Sequence, residues 1–204
     1  YLKKKIDGNL NLKSNDMKLK KVCIIDYEVV NIASIENAIK FLNFNYEILK
    51  KPNDLKSFSH LILPGVGSFK TGAKKLFDNH WDKAIIRFVR EKGFLMGICL
   101  GMQLLFEKSY EDGETKGLGL LEGECEIFKS KNLVLPHMGF NLVKHNNSKI
   151  WNEIENPSPF YFVHSYRIAN SEKKKNISTT KYGESFVSFI EKDNIFGAQF
   201  HPEK

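Results

Sequence analysis

The run Phe94-Leu95-Met96-Gly97-Ile98-Cys99-Leu100-Gly101-Met102-Gln103-Leu104-Leu105-Phe106 constrains the fold more than any other stretch of this chain. Its first half is apolar and of strand length, the pattern of a strand buried on both faces of a covered sheet. Its second half spaces apolar residues at 100, 104 and 105 around Gln103, which is helical periodicity. A cysteine at the junction, with glycine two residues to either side, is the Gly-x-Cys-x-Gly form of a nucleophile elbow. The turn is so sharp that the flanking positions tolerate almost no side chain. It lifts Cys99 above the sheet at a helix N-terminus, whose dipole favours a thiolate. The amide of Leu100 then points at the space where an oxyanion forms.

A free cysteine more often serves only to pack. Two other stretches argue against that here. In Phe200-His201-Pro202-Glu203, residues two apart on an extended segment point the same way, so Glu203 lies beside His201 and orients it. Cysteine, histidine base and carboxylate make a complete acyl-transfer set. Their chain order differs from that of α/β-hydrolases, and the local sequences fail the papain and caspase signatures. In Leu61-Ile62-Leu63-Pro64-Gly65-Val66-Gly67-Ser68-Phe69 a buried strand runs into a loop whose glycines let backbone amides approach a ligand or flip. On local grounds alone that loop is a tight strand-to-helix turn.

Together these residues resemble the class I (triad) glutamine amidotransferases, and among them the glutaminase subunits of imidazole glycerol phosphate synthases. Further matching pieces are Ile25-Asp26-Tyr27 with Asn31, Gly117-Leu118-Gly119-Leu120, Pro136-His137-Met138-Gly139-Phe140-Asn141, Tyr161-Phe162-Val163-His164-Ser165-Tyr166 and Gly197-Ala198-Gln199-Phe200-His201-Pro202-Glu203-Lys204. The resemblance implies a mostly parallel sheet flanked by helices, with an antiparallel β extension in the C-terminal half. It implies L-glutamine as substrate and Cys99, His201 and Glu203 as catalytic residues. Gly65, Val66, Gly67 and Leu100 would hold the oxyanion, and Gln103 would line the pocket. Backbone groups of His164, Ser165 and Tyr166 would bind the amino-acid end. Asn31, His137, Met138, Phe140 and Asn141 would face a (βα)8-barrel cyclase in a heterodimer that channels ammonia for histidine biosynthesis. No metal or cofactor is expected. Three departures stand out: Glu28 where the family has glycine, Phe140 where it has tryptophan, and an end one residue past Glu203, which suggests truncation. They leave open a paralogue feeding ammonia to an amidino-sugar synthase, a degenerate non-enzymatic partner, or a free-standing glutaminase.

Strand and helix patterns alternate through the first half. Val22 to Asp26, Tyr46 to Leu49 and Leu61 to Leu63 read as strands. A helix carries Ile32, Ile35, Ile39 and Leu42 on one face, and another spans Trp81 to Lys92. This alternation predicts a parallel sheet covered on both faces. From Gly123 on, short β-rich runs dominate: Glu124 to Phe128, Asn141 to Val143, Phe160 to Val163, Phe186 to Ile190 and Ile195 to Phe200. Lys192-Asp193-Asn194 closes a hairpin between the last two. Residues 21–204 therefore read as one domain, preceded by a basic flexible tail over 1–20, of which 1–16, before Met17, is read as an added or upstream leader.

The net charge of +7 raises the question of nucleic acid. Residues 1–21 hold seven lysines against two aspartates, so five of the seven net charges sit there, and the chain has three arginines in all. That argues against a phosphate-reading surface. No apolar run approaches the ~20 residues of a membrane span. Three cysteines without Cys-x-x-Cys spacing argue against disulfides or zinc and for a reducing, cytoplasmic setting. His60, His80 and His145 sit in surface contexts, and His164 by itself reads as structural.

Overall fold

The computed structural model describes residues 21–52, 55–130, 132–169 and 176–204. The expected basic tail over 1–20 and the lysine run at 173–175 lie outside the described residues.

The elbow strand β4 (Phe94–Ile98) sits inside a sheet whose parallel part runs β2 (Asn45–Leu49), β1 (Lys21–Ile25), β3 (His60–Leu63), β4 and β13 (Ile195–Ala198). The sheet continues through β12 (Glu184–Lys192), β10 (Tyr166–Ala169), β7 (Leu121–Ile127), β5 (Phe106–Ser109) and β6 (Thr115–Lys116), with β11 (Ile177–Tyr182) paired to β12. Beyond β13 the pairings are antiparallel except β5 with β7. A separate antiparallel pair joins β8 (His137–Val143) to β9 (Ser158–His164).

The continuous apolar runs are explained by burial on both faces. On one side Cys23, Ile25, Leu61, Leu63 and Leu95 pack against helices α2 (Phe69–Asp78), α3 (Trp81–Arg90) and α4 (Leu100–Leu104). On the other, Val22, Ile24, Ile62 and Ile98 pack against Ile35 of α1 (Ile32–Phe41). Ile98, Ala198 and Phe189 are neighbours across adjacent strands. On that same face the aromatic cluster of Trp151, Phe162, Phe186, Phe189 and Phe200 seats the β8–β9 pair. Burial of one large aromatic side chain stabilises by roughly 1.5–3 kcal/mol, so this cluster is what holds β9 over the carboxyl ends of β4 and β13.

Three local devices fix the elements that carry the site. Ser68 caps α2 by accepting from the Thr71 amide. The expected hairpin forms, its turn made by Asp193 and Asn194 alone, since Lys192 still pairs with Ile195. Asn194 Nδ2 also donates to Val89 O and Gly93 O, tying that turn to the end of α3.

Some sequence expectations need correction. The elbow helix stops at Leu104, because Phe106 turns back into β5. Leu42, expected on the buried face of α1, lies beyond its end and is exposed. His137, expected in an interface loop, begins strand β8 with its ring buried. Strands β5, β6, β10 and β11 were not expected at all, and helix α2 was not placed, only implied by the turn before it.

Candidate active site

Cys99 occupies the elbow with φ 53° and ψ −113°, a backbone conformation that few L residues adopt. Such strain costs about 1–3 kcal/mol and persists only where the surroundings impose it. The surroundings are the two glycines. A Cβ on Gly97 would stand 2.7 Å from Gly101 O, and one on Gly101 would stand 1.8 Å from Leu63 O. Both obstacles are backbone, so neither can yield. Gly101→Ala is therefore expected to destabilise the fold by about 3 kcal/mol or more, lowering Tm by roughly 6–12 °C. An unchanged melting curve would show that the β3 end and the elbow are not packed this closely.

Three chain segments converge on the elbow. The first runs from β13 to the chain's last residues: Cys99 N donates to Ala198 O at 2.8 Å, and His201 N donates to Tyr161 O at 2.9 Å. His201 Nδ1 lies 2.9 Å from Glu203 Oε1, so the expected histidine–carboxylate pair forms, although across a turn, with Lys204 N donating to His201 O, and not along an extended segment. His201 Nε2 is buried without a hydrogen-bond partner, because the Cys99 thiol is turned to Val163 O at 3.8 Å. Burial disfavours the imidazolium, but Cys99 and Glu203 outweigh it and push His201 up to about 10. Catalytic hydrogen bonds often tighten only once substrate is bound.

The second segment is the loop after β3. Tyr27, fully buried, donates its hydroxyl to Pro64 O at 2.9 Å. Val66 N donates to Val29 O at 3.0 Å, so this amide is engaged with the loop after β1 rather than offered to the cavity. Gly67 has φ +88°, which L side chains rarely adopt. In the β1 loop Glu28 takes φ 75°, and its carboxylate pairs with Lys75 of α2. The position where the resembling family has glycine thus keeps a glycine-like conformation.

The third is the β9–β10 connection. Gln103 Nε2 donates to Tyr166 O and to Gln199 Oε1, each at 3.0 Å, and Gln199 Nε2 approaches Cys99 Sγ at 3.9 Å.

These segments enclose a cavity of about 450 Å³. Its lining includes Cys99, His201, Val66, Gly67, Leu100 and Gln103, and also His164, Ser165 and Tyr166. Asn31, Pro136 and Lys204 line it as well. Gly65 does not line it: its Cα packs under Tyr27 and the elbow helix. Glu203 stands behind His201. Met138 and Phe140 are 63% and 69% exposed on the outer face of β8, whereas His137 and Asn141 are turned inward and hydrogen-bonded to each other.

Two contributors escaped sequence reasoning. Glu111 lines the cavity, half-buried, and its Oε2 accepts the Phe69 amide at 2.7 Å. Burial raises its pKa, the Phe69 amide opposes this, and Asp112 adds to it. It sits in Tyr110-Glu111-Asp112-Gly113, which reads only as a turn. Gln199 is the other, and its place two residues before His201 on the same segment was the signal for it.

Among the described residues no group of three or more potential metal ligands occurs, and no helix is long and apolar enough to cross a membrane.

The family described as Glutamine amidotransferase class-I matches residues 23–204. Imidazole glycerol phosphate synthase subunit HisH 2 of Methanococcus maripaludis is 45% identical over 187 residues, covering 90% of this chain and 92% of its own. Subunit HisH of Bacillus subtilis is 42% identical over 187 residues, covering 89% and 88%. Among solved structures, PurLQS from Thermotoga maritima superposes with a TM-score of 0.70 at 17% identity over 90% of this chain and 88% of that one. The crystal structure of a glutamine amidotransferase does so at 0.69 and 18%, over 89% and 90%. The fold is thus shared far beyond the reach of sequence identity, while the two relatives at 45% and 42% identity are HisH subunits. The chain belongs to the class I glutamine amidotransferases, in the HisH family of imidazole glycerol phosphate synthase subunits.

Proposed function

We propose that this chain is the glutaminase subunit of a cytoplasmic imidazole glycerol phosphate synthase, with Cys99, His201 and Glu203 as its triad. The observation that carries the assignment is the His201–Glu203 pair at 2.9 Å beside a strained elbow cysteine, on one cavity. Cys99 sulfur attacks the side-chain amide carbon of glutamine, and the C–N bond breaks as His201 protonates the leaving nitrogen, giving ammonia and a γ-glutamyl thioester. His201 then takes a proton from water, which attacks the thioester and releases glutamate and Cys99. Glu203 holds Nδ1 and with it the tautomer that directs Nε2 to the sulfur.

The oxyanion would be received by the Leu100 amide, left over at the first turn of α4, and by the Val66 amide once it leaves Val29. One such donor is typically worth about 3 kcal/mol. Glu111 supplies the negative charge that the α-ammonium of glutamine requires, with backbone groups of His164, Ser165 and Tyr166 around the same end. The exposed Met138 and Phe140, with Asn31 at the cavity rim, form the face for a (βα)8-barrel cyclase that consumes the ammonia.

The nucleophile is tested with a glutamine-mimicking electrophile. Cys23 on β1 and Cys125 on β7 are fully buried. Burial, with a contribution from Glu47, pushes the Cys23 thiol up to about 12, and burial raises Cys125 as well. Peptide mapping is expected to find the label on Cys99 alone. Label mainly on Cys23 or Cys125 would overturn the mechanism.

A further inference from the structure

We propose that His137 and His164 are positioning residues, two imidazoles that form a one-way hydrogen-bond chain from strand β8 to the carbonyl of Tyr166 and so hold Gln103 and Gln199 against Cys99. Its coupling to a docked partner rests on the function proposed above; the chain itself does not.

Both rings are buried among Phe128, Phe162 and Phe186, in the aromatic cluster under the β8–β9 pair. Polar groups in such a place are costly unless every one is satisfied. Here every nitrogen is. His164 Nδ1 is 2.8 Å from Tyr166 O, His164 Nε2 is 3.0 Å from His137 Nδ1, and His137 Nε2 is 3.1 Å from Asn141 Nδ2. Burial pushes His137 down to about 4; burial, opposed by Tyr166 O and reinforced by His137 and His201, pushes His164 down to about 3. Both rings are therefore neutral, with one N–H each.

One proton arrangement then satisfies the set. A carbonyl only accepts, so His164 Nδ1 carries hydrogen and its Nε2 accepts. His137 Nδ1 must donate to it, so His137 Nε2 accepts from Asn141. The Asn141 amide is oriented independently, since its Nδ2 also donates to Lys181 O at 3.1 Å and its Oδ1 accepts the Leu142 amide at 2.8 Å. At the other end Tyr166 O also accepts from Gln103, which donates to Gln199, whose amide approaches Cys99 Sγ.

Strand alternation gives the chain its use. On β8, Met138, Phe140 and Leu142 point outward and are exposed, while His137 and Asn141 point inward. His137 and His164 are register partners in the β8–β9 ladder. Pressure on the outer face of β8 reaches the inner face through a chain that cannot reverse one link without setting two lone pairs against each other.

The test has two readings. In the histidine-15N-labelled chain alone, long-range 1H–15N NMR between pH 6 and 8 should show neutral Nδ1–H tautomers for both His137 and His164. An Nε2–H or charged ring at either overturns the chain. In Asn141→Asp, a nearly isosteric change that places a carboxylate at His137 Nε2, that nitrogen should gain a proton; an unchanged spectrum also overturns it. The second reading is glutamate release without and with a (βα)8-barrel cyclase and its nucleotide substrate. His137→Leu should reduce the ratio of stimulated to basal turnover about tenfold. His137→Gln, which can both donate and accept, should restore most of it. That ratio is insensitive to a lower folded fraction, so a purely structural role would leave it unchanged, and an unchanged ratio refutes the coupling. A wild-type chain that no cyclase stimulates refutes the proposed function and the coupling together, while the tautomers are decided without any partner.

Discussion

His201→Ala is expected to lower glutamine hydrolysis by about 10³-fold, within the usual range for a general acid–base residue. Glu203→Gln removes the carboxylate but leaves the base, so its loss should be no greater. Both are read as glutamate release per folded chain. Wild-type turnover in His201→Ala would remove the histidine from the mechanism. The same variant tests the charge state by its effect on stability. Burial opposes the charged ring, but Cys99 and Glu203 raise the folded value from 6.5 to about 10. A raised folded value stabilises fully below the unfolded value and loses that contribution as pH rises through the folded one. The Tm advantage of wild type over His201→Ala should therefore be largest below pH 6.5 and shrink toward pH 10. An advantage that grows across that window would mean that His201 is held neutral.

The elbow, the His201–Glu203 pair and the parallel half of the sheet were legible because each has a local signature. Apolar runs marked β1, β3 and β4, the glycine spacing marked the turn at Cys99, and His201-Pro202-Glu203 placed base and carboxylate two residues apart. The antiparallel half was harder because several of its polar residues are buried. Arg167 on β10 is 2% exposed and lies between Glu126 of β7 and Glu184 of β12, at 3.3 and 3.1 Å. A strand centred on arginine reads as surface until its neighbours across the sheet are known. Ile177 to Tyr182 carries Ser178 and Thr180 on its buried face, which hides the alternation of β11. His137 failed differently. Its flanking proline and glycine suggest a loop, and only pairing with β9 turns its ring toward His164. Glu111 had no local signal, because its role comes from the cavity wall opposite it.

The isolated chain should hydrolyse glutamine slowly, and a (βα)8-barrel cyclase with its nucleotide substrate should raise turnover a hundredfold or more, about 3 kcal/mol of barrier. The reason lies in the loop after β3. The Val66 amide donates to Val29 O at 3.0 Å, and Tyr27 pins Pro64 O at 2.9 Å. The Gly65–Val66 peptide between them is therefore the one that has to turn for this amide to meet an oxyanion, and glycine on its near side makes that turn sterically open. Docking on the proposed face of Met138, Phe140 and Asn31 would reach the cavity through Asn31, which lines it, so Met138→Arg should abolish the stimulation. Gly67 offers an opposite probe. Its φ is +88° with the Val66 amide engaged, and a Cβ there meets nothing closer than Val29 Cγ1 at 3.8 Å. Gly67→Ala thus penalises the resting backbone by about 1 kcal/mol without a clash, and basal turnover should rise about fivefold. A basal rate that stays level or falls would show that the engaged amide is not what restrains the free chain. Stimulation by an amidino-sugar synthase and by no cyclase would move the partner to a surface-sugar pathway, and full activity in the isolated chain would make it a free-standing glutaminase.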